Sequence, residues 1–331
     1  MKPNGRVVVL ISSAGRRVEL LRIWRRTLAD LGVDGEVVAT DMSRVSAAWH
    51  EADRAFVVPP CTVSEFVPAM LELCRREGVS LVVPTIDTEL PMLAGARERF
   101  ENVGTAVHVS SPETIAVGYD KRDGHRWLVD AGFPTVRQAE AGAVLDDSEG
   151  WTFPLIVKPV RGSASIGVAT VADREELARM APGRDHVVQA IAAGVEYTVD
   201  VLVDRTGRCR GAVPRRRLEV RAGEVSKGMT VREPRVVELA AGIAEALPGA
   251  WGCLNFQIFH DAATGALAVI EINPRFGGGF PLAWEAGARY PRWILEEALG
   301  RPSTAHDRWA EGLVMLRYDA AVFRGREACG L

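Results

Sequence analysis

Residues Arg6-Val-Val-Val-Leu-Ile11 form an unbroken, mostly β-branched apolar run, the pattern of a strand buried on both faces. A tight turn at Ser12-Ser13-Ala14-Gly15 follows. A helical period then runs over Arg16–Leu31, with Val18, Leu21, Leu28 and Leu31 on one side and Gly32 as its stop. Glu36-Val-Val-Ala-Thr40, ending at Asp41, reads as a second strand, Val63–Glu77 as a helix, Ser80-Leu-Val-Val-Pro84 as a third strand and Val107-His-Val109 as a weaker one. Strand and helix alternating in this way predict a parallel α/β sheet over residues 1–115.

The pattern changes near Asp120. Asp120–Ala131 is helical and stops at Gly132. Short β-runs then dominate: Phe153–Pro159, Val168–Val171, His186–Ile191, Glu196–Val203, Gly211–Glu219, Cys253–His260 and Leu267–Ile272. Helices are expected at Arg174–Met180 and Glu233–Leu247. The 331 residues exceed one ordinary core, so three units are expected: 1–115, a central unit at 116–187 and a C-terminal unit at 188–331. The fold class is α/β, turning to α+β in the second half.

Composition narrows the function classes. Charged residues are 25%, the net charge is -3 and the pI is about 6.1, which argues against a nucleic-acid or membrane surface. No window approaches the roughly 20 apolar residues of a membrane span. Cys61, Cys74, Cys209, Cys253 and Cys329 are scattered with no CxxC pair, which fits a reducing cytoplasm rather than a disulfide framework or a zinc site. The six histidines form no HxH or HExxH pattern.

Two segments carry the chemistry. In Val157-Lys158-Pro159-Val160-Arg161-Gly162-Ser163-Ala164-Ser165-Ile166-Gly167 a lysine closes a strand and a loop of small residues follows. Small residues let backbone N–H groups approach an anion, and the lysine adds a point charge. A phosphate-gripping flap and an ordinary hairpin with a surface lysine fit equally well. No Gly-Lys-Ser/Thr opens a helix, so this is not a Walker A loop. In Val269-Ile-Glu271-Ile-Asn273-Pro-Arg275 two oxygen donors share one face of a strand, and Gln257 stands where it would face them across a hairpin. Three such oxygens suit Mg²⁺, and Arg275 would clamp a transferring phosphoryl group. A polar strand face turned to solvent is the competing reading.

The order of these motifs resembles the ATP-grasp superfamily, and within it the synthetase domains of carbamoyl-phosphate synthase and their stand-alone carboxylate–amine ligase relatives. The resemblance spans Asp120–Gly279, with a compatible Rossmann-like domain ahead of it. It implies that Lys121 is the first nucleotide-binding basic position, that Lys158 contacts the ATP phosphates and that Gly162, Ser163, Ser165 and Gly167 belong to the glycine flap. It further implies that Gln189-Ala190-Ile191 reads adenine, Glu196 holds the ribose, and Gln257, Glu271 and Asn273 bind Mg²⁺, with Mn²⁺ able to substitute. Arg275, with Lys158, would stabilise the phosphoryl group. Many relatives have a carboxylate where Gln257 stands, and glutamine resembles the carbamoyl-phosphate synthase pattern. That enzyme's glutaminase partner and second synthetase half have no counterpart here, so carbamoyl phosphate synthesis itself is not expected.

Other residues stay open between two readings. The cationic run Pro214–Lys227 is either a solvated edge strand or a wall that turns Arg217 and Lys227 toward phosphates. Asp87 and Glu89 follow a strand end, where open α/β sheets bind ligands; either they hold a substrate ammonium, or Asp87 or Thr88 caps the helix running into Leu93. Ser12–Arg17 lacks dinucleotide spacing and is a candidate for the substrate cleft. Gly277-Gly278-Gly279 either donates backbone N–H groups to a substrate, with Gly278 foremost, or is simply flexible. Trp251, Trp284 and Trp293 are expected in the core. The implied activity is an ATP-dependent carboxylate–amine (or carboxylate–thiol) ligase that forms an acyl phosphate and releases ADP and phosphate. The alternatives are carboxyphosphate or carbamate phosphorylation and a non-catalytic nucleotide-sensing module. The expected partners are ATP and small carboxylates and amines, amino acids among them; no nucleic acid or membrane is expected, and a homodimer is left open.

Overall fold

The computed structural model describes residues 5–147, 149–162, 166–181, 185–221 and 223–331. Its first unit is a five-stranded sheet of β1 (Val7–Ser12), β2 (Gly35–Asp41), β3 (Arg54–Val57), β4 (Leu81–Pro84) and β5 (Ala106–Val107). All four pairings are parallel, in the order β3-β2-β1-β4-β5. Alternate residues of β1 feed different cores. Val7, Val9 and Ile11 join helix α1 (Val18–Asp30), while Val8 and Leu10 join Phe66, Met70 and Leu73 of α2 (Phe66–Glu77). The continuous apolar run therefore reflects burial on both faces. Gly32 ends α1 at φ +61°, a left-handed conformation that glycine adopts without a steric cost. The edge strand β3 was not read from the sequence, and the weak Val107–Val109 strand reduces to Ala106–Val107.

The central sheet holds β6 (Gln138–Glu140), β7 (Leu155–Pro159), β8 (Ala169–Val171) and β9 (His186–Ala190) in the antiparallel order β6-β9-β7-β8. Its small core includes Val157, Val171, Leu177 and Val188. Because β9 belongs to this sheet, sheet membership carries the central unit to Ala190, past the expected boundary at 187.

The third unit is a six-stranded antiparallel sheet. Its strands are β10 (Val195–Val203), β11 (Cys209–Arg221), β12 (Glu224–Thr230), β13 (Gly252–Asp261), β14 (Ala266–Asn273) and β15 (Val314–Leu316), in the order β14-β13-β10-β11-β12-β15. Pro214–Lys227 is thus not one run but two strands turning back so that Arg221 faces Glu224. Nor is β11 an edge strand, since β10 and β12 flank it. One face is covered by α6 and α4, defined here with the other helices in chain order: α3 (Pro112–Tyr119), α4 (Lys121–Asp130), α5 (Arg174–Met180) and α6 (Pro234–Ala246). Leu128 of α4 and Val236, Ala240 and Ile243 of α6 join Val199, Leu254 and Phe256 in one core. Helix α4, which sequence order assigns to the central unit, therefore packs on the large sheet. Asp120 caps it by accepting from Arg122 N at 2.9 Å.

Two helices after Gly279 went unread, α7 (Phe280–Glu285) and α8 (Tyr290–Ala298). They tie the first unit to the third, because Phe280, Trp284, Tyr290 and Trp293 share a core with Trp24 of α1 and the odd-numbered face of β1. Trp251, Trp284 and Trp293 are all buried, as expected.

Candidate active site

Two adjoining cavities lie along the large sheet. The first, about 430 Å³, opens between the central and large sheets. Its walls combine apolar Ile156, Phe259 and Ile270 with Lys121, Lys158, Glu196, Arg217, Gln257 and Glu271. The segment Gln189-Ala190-Ile191 lines it where β9 ends, and the Gln189 side chain is pinned by donating to Gln138 Oε1 at 2.6 Å.

Lys158 comes from the last turn of β7 into this cavity and is 6% exposed. Burial lowers its pKa from 10.5 to about 8, opposed by the attraction of Glu271 and Glu196. Lys121 donates from Nζ to Gly162 O at 3.0 Å, which brings the start of the glycine loop to the cavity rim. Gly162 lines the cavity. Gly167 does not; a Cβ there would lie 2.8 Å from Pro159 Cγ, so its role is to let the loop turn against β7. Ser163 and Ser165 fall outside the described residues.

Gln257 and Glu271 face each other directly across β13 and β14, as do Asn255 and Asn273, and a bulge follows Gln257. The paired positions place Gln257, Glu271 and Asn273 on one wall of the second cavity, of about 110 Å³, with Gln257 and Glu271 bordering both. The oxygen set is one carboxylate and two amides. Among the described residues no three His, Cys, Asp or Glu side chains gather into a metal site. Such a set fits a hard ion that keeps waters and takes phosphate oxygens, and does not fit zinc.

Arg275 leaves β14 into the second cavity. It donates to Asp87 Oδ2 at 2.6 Å and to Asn273 Oδ1 at 3.3 Å, and its own carbonyl accepts from Asn255 Nδ2 at 2.9 Å. Asp87, left open between holding an ammonium and capping a helix, is the counter-ion of Arg275. Glu89 is a clear correction. It is fully buried, accepts from Ser12 Oγ at 2.6 Å, Ser13 Oγ at 2.9 Å and the amides of Thr85 and Ile86, and lines neither cavity. Burial pushes its carboxyl pKa up, while those four donors oppose the shift. Its carboxylate fastens the turn after β1 to the turn after β4. Lys227 is a second correction. It is exposed, bonded to Glu219 Oε2 at 2.6 Å, and turned away from both cavities.

Arg217 does reach the site, lining both cavities and paired with Glu196. Gly278 lines the second. Arg17, the last residue of the Ser12–Arg17 segment expected at the substrate cleft, also lines it, as do Thr198, Arg215 and Glu224, which sequence reasoning missed. Arg215 is 1% exposed and makes two hydrogen bonds to Asp200, at 2.6 and 3.2 Å. Only the alternation of Arg215 and Arg217 along β11 hinted that both point to one face.

The family models agree with this layout. Residues 9–108 match the model described as PylC-like, N-terminal domain, and residues 183–320 match the one described as ATP-grasp in the biosynthetic pathway with Ter operon. Residues 183–320 thus belong to an ATP-grasp family. Among curated proteins it is similar to the D-alanine–D-alanine ligase of Mycobacterium avium, at 31% identity over 142 residues, or 38% of either chain. It is also similar to the carbamoyl phosphate synthase large chain of Methanothermobacter thermautotrophicus, at 25% identity over 79% of this chain and 26% of that one. The chain thus spans well under half the length of these two relatives. Among solved structures, the L-amino acid ligase from Bacillus licheniformis superposes with a TM-score of 0.70 at 19% identity, covering 90% of this chain and 75% of that one.

Proposed function

We propose that this chain is an ATP-dependent carboxylate–amine ligase that works through an acyl phosphate. The observation that carries this reading is that Gln257 and Glu271 border both cavities. The larger cavity has the size and lining for a nucleotide, the smaller suits a small acid, and the two meet where phosphoryl transfer would occur. Two relatives named as ligases of amino acids point the same way.

In this reading adenine lies between Ile156 and Ile270 beside the Gln189–Ile191 segment, with the ribose at Glu196. Lys121 and Lys158 hold the phosphates. Glu271, Gln257 and Asn273 would hold Mg²⁺ or Mn²⁺, which neutralises phosphate charge when bound. A substrate carboxylate oxygen attacks the γ-phosphorus, the bond to the β–γ bridging oxygen breaks, and ADP leaves. Arg275 faces the charge that develops on the transferring group, and Asp87 keeps its guanidinium in place. An amine nitrogen then attacks the acyl carbon, phosphate departs with the former carboxylate oxygen, and the amine releases a proton to solvent. No protein nucleophile is required, so positioning and charge neutralisation supply the catalysis.

ADP release with a matrix of carboxylates and amines tests the reading. Turnover should require one of each and be lost in Glu271→Gln. Release driven by bicarbonate alone would favour carboxyphosphate chemistry. No release with any pair would leave a nucleotide-sensing module.

A further inference from the structure

The charges around the second cavity do not balance. Three of its guanidinium groups have partners: Arg215 has Asp200, Arg217 has Glu196 and Arg275 has Asp87. Arg17 has none among the described residues. Its one hydrogen bond runs from Nη2 to Thr85 O at 3.5 Å. The nearby carboxylate, Glu224, is taken by Arg317 at 2.9 Å and Arg16 at 3.6 Å. One carboxylate, Glu224, therefore stands among the three guanidinium groups of Arg16, Arg17 and Arg317. Burial and the neighbouring charge of Arg275 lower the Arg17 pKa to about 10, so an anion beside it would relieve both effects. Room exists for one, because Gly278 is where a side chain would intrude. A Cβ there would lie 2.8 Å from Arg17 Nη1 and 3.4 Å from Glu224 Cδ.

We propose that Arg17 binds a second carboxylate on the substrate, one that is not phosphorylated, so that the N-terminal domain selects substrates bearing a free carboxylate. The activated group sits at the Glu271–Arg275 end and the spared one at Arg17. The ligand is then a small dicarboxylate, an acidic amino acid included, rather than an acid with a single carboxylate. The cavity of about 110 Å³ suits that size and excludes a second nucleotide. The choice of substrate class rests on the ligase reading; the oxyanion site does not.

Matched pairs test it: acidic amino acids and other small dicarboxylates against their half-amides, scored by ADP release. The free carboxylate should be strongly preferred. Arg17→Gln should raise the KM for that substrate about 30-fold or more, the effect of losing one charged hydrogen-bonded contact, with the KM for ATP little changed. Arg17→Lys should recover part of the loss. Gly278→Ala, which displaces the guanidinium without removing its charge, should resemble Arg17→Gln and guards against a folding artefact. Equal use of acids and amides, or a loss in Arg17→Gln confined to kcat, would overturn the proposal. If wild type releases no ADP with any pair, the ligase reading fails, and succinate is then titrated into the MgADP-bound protein while its melting is followed. Protection by succinate that disappears in Arg17→Gln supports the site. No protection, equal protection in both proteins, or protection by inorganic phosphate alone overturns it.

Discussion

Lys158 is buried at the end of β7, and the fold lowers its pKa to about 8 against 10.5 in the unfolded chain. The unfolded state therefore binds the extra proton between about pH 8 and 10.5. Lys158's contribution to stability rises with pH through that window, and the burial penalty is felt in full below it. Phosphates favour the charged form, so ATP binding at pH 9 should take up close to one proton. Calorimetry in buffers of different ionisation enthalpy reads this directly. Wild type should show the uptake and Lys158→Ala should not; the same uptake in both would remove Lys158 from the phosphate site. Glu271→Gln makes a complementary case. The side chain is nearly isosteric and forms no ion pair among the described residues, so melting without Mg²⁺ should barely move. The MgADP-induced stabilisation should shrink, and turnover should fall about 100-fold or more, as expected when a charge-neutralising contact is lost. At this scale the sequence was legible where residue type and period coincide, as at Glu271, Asn273 and Arg275. It misled at Glu89 and Lys227, because two donor-rich turns and the partner Glu219 come from elsewhere in the fold.

The β13–β14 hairpin is the element that assembles the proposed metal end, and its register places Gln257 opposite Glu271. Like charges directly opposite one another destabilise a sheet by a few tenths to about 1 kcal/mol. Gln257→Glu should therefore melt earlier than wild type without metal and gain more from Mg²⁺. A variant equally stable in both conditions would show that position 257 does not face the metal. Pairing across the hairpin was legible, because Cys253–His260 and Leu267–Ile272 are both β-rich. The break in Pro214–Lys227 was not read, although Gly223, at φ +77°, marks the turn between Arg221 and Glu224. Nor was β15, whose three residues carry no period of their own. The start of β10 shows a further constraint that sequence alone hides. Gly194 sits at φ +93°, and a Cβ there would lie 2.2 Å from His260 O, so its close approach to β13 sets where Glu196 emerges.

Across the whole molecule, the site joins units that are distant in sequence. Asp87 and Arg275 are 188 positions apart, and both are largely buried. Asp87→Asn keeps an acceptor but removes the counter-charge. Its destabilisation should be about 1–3 kcal/mol, below that of breaking a buried pair outright. It should lower kcat far more than it raises the KM for ATP, because Arg275 lines the second cavity and not the first, where the nucleotide is proposed to bind; a change confined to the KM for ATP would contradict this. The alternating α/β pattern made the first unit legible, and motif order made the ATP-grasp fold legible. The contact between them was not, since α7 and α8, which bury Trp284 and Trp293 against α1, show no signal that distinguishes an interface from a core. Arg17 enters the site only through that contact. The central claim is that a substrate carboxylate takes the γ-phosphoryl group, and isotope transfer tests it most directly. With the carboxylate labelled with ¹⁸O, each turnover should deliver one ¹⁸O atom into the released phosphate, with ADP as the nucleotide product. Unlabelled phosphate, or label appearing in AMP, would contradict the acyl-phosphate mechanism.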